Sequence, residues 1–170
     1  MRPDETLGSW VALAMHSLTN AFAEVLQRQC KHLEKPYIIT PPQWSTLAWI
    51  DAYQVLPVGV LAQKLGIDAS VATGIVKRLE GHDLIERVHD QNDRRIVRLS
   101  LTVEGREIVQ QLNPVVVAFN ERSLHGFSPE QQQTLREQLR QIVSNVAPEA
   151  RSGHDDLVTL QREKNEERHI

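Results

Sequence analysis

Cysteine is almost missing from this chain, and that scarcity is the first constraint. Cys30 stands alone among 170 residues, so no internal disulfide framework exists. No apolar run approaches the ~18–20 residues that a membrane-crossing helix needs. The opening MRPDETLG lacks the cationic lead of a secretory signal, so a cytoplasmic location is expected, with no membrane partner. There is no phosphate-cradling glycine loop, no zinc-protease helix and no nucleophile elbow, and nothing gathers Ser, His and Asp together. An enzyme is therefore not expected, nor a cofactor. The seven histidines are scattered, without a pair at i, i+4. Glu24, Cys30, His32 and Glu34 lie near one another in sequence but lack defined ligand spacing, so no metal is expected. An excess of positive charge is also absent: 19 Lys and Arg against 22 Asp and Glu give a net charge of −3. Bulk attraction to a polyanion is excluded, and any positive surface must come from local placement.

What is present is ordinary globular material, 41% apolar and 24% charged, enough for one compact domain with extensions. The informative stretch runs from Gly59 to Gly105. Pro57 suits a first helical turn. Leu61, Leu65 and Ile67 are apolar, and Gly66 eases a turn into a second helix that Asp68 is placed to cap. Val71, Ile75 and Leu79 recur every four residues and are expected to be buried. Ser70, Thr73, Gly74 and Lys77 face the other way. Such a small, polar and cationic face suits close approach to base edges, although most faces of this kind are merely solvated.

A hairpin follows. Leu84–Val88 and Ile96–Leu101 are β-prone, and residues 89–95 between them are polar and turn-prone. Arg94 and Arg95 sit near the tip, where a guanidinium can enter a minor groove or clamp phosphate. Asp93 is expected to orient a neighbouring cation, either Arg95, Lys77 or Arg78. From Leu56 to Arg106 eight cations oppose seven anions, a balance of only +1. Non-specific affinity for nucleic acid should be modest and weakened by salt.

Helix, turn, helix and charged hairpin in that order make a winged helix-turn-helix. Residues 60–106 resemble the multiple-antibiotic-resistance regulator (MarR) family. The resemblance rests on Leu61-Ala62, Leu65-Gly66, Ser70 and Thr73, and on Asp90, Asp93-Arg94-Arg95, Leu101-Thr102 and Gly105-Arg106. With the flanking helices it covers roughly residues 7–147. The resemblance implies that Ser70, Thr73 and Lys77 contact DNA from the recognition helix and Arg94 from the wing tip. It also implies an intertwined homodimer. Three positions depart from the family pattern. Gly74 stands where many relatives carry a larger, often basic, side chain. Asp83 replaces the usual glycine before the first wing strand, and Arg98 replaces an apolar wing residue.

The flanks read as helices. Val11, Ala14, Leu18, Ala21 and Val25 form a stripe within Leu7–Leu33. Pro41 and Pro42 open another helix. Thr102 is expected to cap a third, with the stripe Ile108, Leu112, Val115 and Phe119 and an internal Pro114. Ser128-Pro129-Glu130-Gln131 is a capping-box start for a fourth. The expected fold is mainly α with a small β-hairpin wing. A DNA-binding lobe at 56–102 joins dimerisation helices at 7–33 and 103–147, all in one domain of residues 1–147. Residues 148–170, with six acids against four Lys or Arg, read as a mobile acidic tail.

Six of the eight aromatics fall in the first 53 residues. Because family members often bind aromatic or phenolic anions, an effector pocket drawing on Trp10, His16, Tyr37, Trp44 and Trp49 is expected. The competing use of these rings is as core filler. The functional expectation is a homodimeric, ligand-responsive repressor on near-palindromic double-stranded DNA. The alternatives are a winged helix for protein assembly, or a redox sensor acting through Cys30 with Arg28 and Lys31 nearby.

Overall fold

The computed structural model describes residues 2–89 and 97–146. The expected wing-tip residues Asp90, Asp93, Arg94 and Arg95, and the expected tail at 148–170, lie outside the described residues. After a 3-10 turn at Pro3–Glu5 come α1 (Leu7–His32), α2 (Pro41–Tyr53), β1 (Leu56–Pro57), α3 (Val58–Leu65) and α4 (Ala69–Gly81). β2 (Ile85–His89), β3 (Val97–Leu101), α5 (Val103–Ser123) and α6 (Pro129–Val146) complete the order. The chain divides into two compact units. One contains residues up to Pro41 together with Gln110–His125. The other contains Pro42–Val109 and the residues from Gly126 onward.

In the first unit Thr6 caps α1 by accepting the Ser9 N–H at 3.2 Å. The rings of Phe22 and Phe119 stack at 5.0 Å, and Leu26, Cys30, Leu112 and Val116 are buried. The first half of α1 is different. Leu7, Trp10, Val11, Leu13, Met15 and Leu18 are exposed, Val11 and Leu18 being members of the apolar stripe read from the sequence. The α5 stripe is seen at Ile108, Leu112 and Phe119, with Val116 buried where Val115 was expected. The helix continues through Pro114.

In the second unit the sheet order is β1-β3-β2, all antiparallel. The sequence suggested a two-stranded hairpin and put Pro57 in a helix. Pro57 instead pairs with Arg98 at the sheet edge and directly precedes α3. Proline suits that edge because it has no N–H to offer a further strand. Gly66 ends α3 in the left-handed conformation, φ 63°. Asp68 takes the N-cap position of α4, but its carboxylate accepts no backbone N–H. It is exposed, where water competes for the bond. Its charge still lies at the positive end of the helix dipole.

Ala72, Ile75, Val76 and Leu79 are the buried residues of α4. Val71, expected inside, is 50% exposed. A four-residue step drifts about 40° around a helix, so Val71-Ile75-Leu79 traces a slanting line and its first member leaves the buried face.

The turn after α4 is fastened to the start of α5. Asp83 is left-handed, φ 56°, the conformation expected from its replacement of a glycine. The Thr102 hydroxyl donates to the Asp83 carbonyl at 2.6 Å and accepts the Gly105 N–H at 2.9 Å, capping α5. The Thr102 N–H donates to the Leu84 carbonyl at 3.2 Å. Arg106 donates to the Leu101 carbonyl at 2.7 Å. A Cβ at Gly105 would overlap the Leu84 carbonyl oxygen, which is backbone and cannot swing away. In α6 the capping box forms, with Ser128 N–H donating to Gln131 Oε1 at 2.8 Å and Gln131 N–H to Ser128 Oγ at 3.3 Å. No residue of α6 is buried.

Gly105→Ala should therefore destabilise the fold by about 2–3 kcal/mol, as overpacking against immovable atoms does. Urea unfolding of the variant beside the parent checks this. A change under about 0.5 kcal/mol would mean that the contact relaxes freely.

Candidate nucleic-acid interface

The residues that the sequence nominated on α4 all reach the surface. Ser70, Thr73, Gly74 and Lys77 are exposed, as are Val71 and Arg78. The helix exposes them because Ala72, Ile75, Val76 and Leu79 hold its opposite side in the core, against α3 and β2. Among the described residues neither Lys77 nor Arg78 forms an ion pair. Thr73 is less free than its sequence position suggests. Its hydroxyl donates to the Ala69 carbonyl at 2.8 Å, leaving lone pairs and a methyl group to face outward. Gly74 has no internal reason to be glycine: its φ is not left-handed, and a Cβ there would meet nothing within 4 Å.

The wing base is tied to this helix. Arg87 of β2 forks onto Glu80 of α4, Nε to Oε1 at 2.7 Å and Nη2 to Oε2 at 3.1 Å. The hydrogen bond that the Arg87 guanidinium donates to Glu80 raises its pKa, partly offset by burial. Such a bidentate pair fixes geometry more than it adds stability at a half-exposed site. Across the hairpin Ser100 donates to Glu86 Oε1 at 3.0 Å, matching their register. Arg98 lies on β3 opposite Val88 and is half-buried. Asp93, Arg94 and Arg95 fall outside the described residues.

Sequence reasoning missed the Arg87–Glu80 fork, because seven residues and a turn separate the pair. It also counted Lys64 among the lobe's cations. Lys64 is in fact buried, donating to the Tyr53 hydroxyl at 2.9 Å. Its ammonium lies 4.3 Å from the Tyr53 ring centroid and 4.6 Å from that of Trp49. The i, i+4 spacing of Trp49 and Tyr53, whose rings stack at 5.8 Å, was the available signal.

The five residues nominated for an effector divide by environment. Trp10 and His16 are exposed on α1, with Trp10 Nε1 donating to the Asp4 carbonyl at 2.9 Å and His16 Nε2 2.9 Å from Asn20 Nδ2. Tyr37, Trp44 and Trp49 are buried. Cys30 is fully buried. Among the described residues no His, Cys, Asp or Glu side chains gather as a metal-binding set, and no helix is long and apolar enough to cross a membrane.

Residues 39–97 match the MarR family. The segment 39–97 is thus similar to the MarR family. The chain is 33% identical over 90 residues to the HTH-type transcriptional regulator YsmB of Bacillus subtilis, covering 53% of this chain and 62% of that one. It is 32% identical over 105 residues to the transcriptional repressor MdtR of the same organism, covering 62% and 65%. The chain thus spans somewhat under two thirds of the length of these relatives. A probable transcriptional regulator from Pseudomonas aeruginosa superposes with a TM-score of 0.72 at 26% identity, covering 83% of this chain and 99% of that one. That alignment extends well beyond the winged helix.

Two substitutions probe the lobe without reference to any ligand. Gly74→Ala should raise stability by about 0.5–1 kcal/mol, the cost of glycine in an exposed helix with no packing demand. Tyr53→Phe should lower it by about 1–2 kcal/mol by taking an acceptor from a buried ammonium. Thermal melts of both variants decide. A neutral Tyr53→Phe would show that the lysine is satisfied elsewhere.

Proposed function

We propose that this MarR-type chain is a sequence-specific DNA-binding transcriptional regulator, acting as a homodimeric repressor in the cytoplasm. The observation that carries the reading is the outward face of α4. Four nominated residues are exposed together there, with Lys77 and Arg78 unengaged among the described residues, on a helix braced to the wing by Arg87–Glu80. A second copy of the chain is the proposed cover for the exposed apolar residues of α1 and for Leu139, Val143 and Val146 of α6. A two-fold dimer would offer two α4 helices to half-sites about 34 Å apart, hence a near-palindromic duplex.

In this reading Ser70, Thr73, Gly74 and Lys77 approach base edges, while Arg94, Arg95 and Arg98 supply wing contacts and Asp93 orients a cation. A small aromatic or phenolic acid is the proposed effector, with Trp10, His16, Tyr37, Trp44 and Trp49 as its candidate contacts. It would act by stabilising a spacing of the two lobes that DNA does not select. A sensor role for Cys30 is disfavoured by its complete burial, since oxidation requires an accessible thiolate.

Fluorescence anisotropy with the duplex upstream of the chain's own gene tests the assignment. Specific binding should exceed binding to scrambled duplex by about 10³-fold or more and should fall steeply with salt. Lys77→Ala should cost about 1–3 kcal/mol on the specific duplex and little on the scrambled one. Arg94→Ala should weaken both. Equal losses for the two variants on both duplexes would overturn the division of roles. A monomer in sedimentation that binds no duplex would overturn the function. Tryptophan emission unmoved by a broad panel of benzoate-like acids would remove the effector.

A further inference from the structure

We infer that Val71 is a specificity-determining residue that reads the 5-methyl group of a thymine in each half-site. The inference rests on the DNA-reading assignment of α4 and goes beyond it by naming the base and the contact.

Three observations lead there. Val71 is 50% exposed on the helix, although a branched apolar residue at that spacing is expected in the core. Its outward neighbours one turn away offer little hydrogen bonding: Gly74 has no side chain, and the nearby Thr73 spends its only proton on the Ala69 carbonyl. The surface between Ser70 and Lys77 therefore presents methyl groups beside a gap left by Gly74, not donors. The cations Lys77 and Arg78, further along the same helix, form no ion pairs among the described residues, which suits a polyanion as the partner of this face. In the major groove thymine is the base marked by an apolar group, and short aliphatic side chains recognise it by contact. The gap at Gly74 lets the helix come close enough for that contact. An Asn or Arg at position 71 would read adenine or guanine; valine can read neither by hydrogen bonding.

The test begins with duplexes selected by the wild-type protein from a random library. Each thymine in a half-site is then replaced singly by uracil, which deletes only the methyl group. At one position per half-site, wild-type affinity should fall about fourfold, the factor for burying one methyl-sized group. For Val71→Ala that same replacement should have no effect, because the methyl's partner is gone. Val71→Thr, which keeps one methyl in the same shape, should show an intermediate loss. Circular dichroism of each variant checks that α4 is intact, and binding to scrambled duplex should be unchanged in all three proteins. If uracil weakens binding equally in wild type and Val71→Ala, or nowhere at all, the thymine assignment fails while DNA reading stands. If no duplex is enriched, the functional reading itself fails.

Discussion

The threonine at the mouth of α5 holds the lobe together. One hydroxyl, on Thr102, donates to the Asp83 carbonyl and accepts the Gly105 N–H. The backbone N–H of the same residue reaches the Leu84 carbonyl. These bonds join the turn between α4 and β2 to the start of α5. Each contributes about 1 kcal/mol, but their joint effect is geometric. α4 cannot rotate about its axis without dragging the left-handed turn at Asp83, and β2 cannot lift without breaking the bond at Leu84. Gly105 is required because this junction is tight enough to exclude a methyl group. Thus the Leu101-Thr102 and Gly105-Arg106 pairs, which look like a family signature, are the parts of a joint.

That joint matters because the chain has no surplus positive charge to guide a polyanion. With a net charge of −3, the favourable potential must be built locally. The structure sharpens the problem by burying Lys64 against Tyr53 and Trp49 and by engaging Arg87 with Glu80. Two cations of the lobe thus serve its architecture. Lys77 and Arg78 are left on the reading face. In the proposed function, phosphate contacts position the lobe and base contacts discriminate, and that discrimination depends on the rigidity that Thr102 and Arg87 supply.

Much of this was legible in the sequence, for identifiable reasons. Helix termini were readable because their chemistry is local: the capping box at Ser128, the threonine cap at Thr102 and the left-handed Asp83 all lie within a few residues of what they serve. The polar face of α4 was readable because helical period fixes which side chains share a side. Three features resisted. Pairing of Leu56-Pro57 with Leu99 and Arg98 spans about forty residues, and two residues carry no strand periodicity. The burial of Lys64 depends on rings from a different helix. Val71 was misplaced because a four-residue ladder was read as straight, when it winds around the helix.

Residues that break a local rule without an internal compensation are informative as a group. Gly74 weakens a helix and relieves no clash. Val71 exposes a branched apolar side chain on a polar face. The leading half of α1 and the length of α6 expose leucine, valine, methionine and tryptophan. By contrast, the rule-breakers Asp83, Gly105 and Lys64 each have a visible internal reason. Sequences that fold well are locally consistent, and departures concentrate where something outside the fold imposes a requirement. The uncompensated departures fall in two classes that differ in kind. On α1 and α6 they are large and apolar, as a second protein surface demands. On α4 they are small and shallow and precede two cations, as suits the proposed groove lined with bases and edged with phosphates. The proposed function, with one lobe facing a duplex and long helices facing another copy, accounts for both classes.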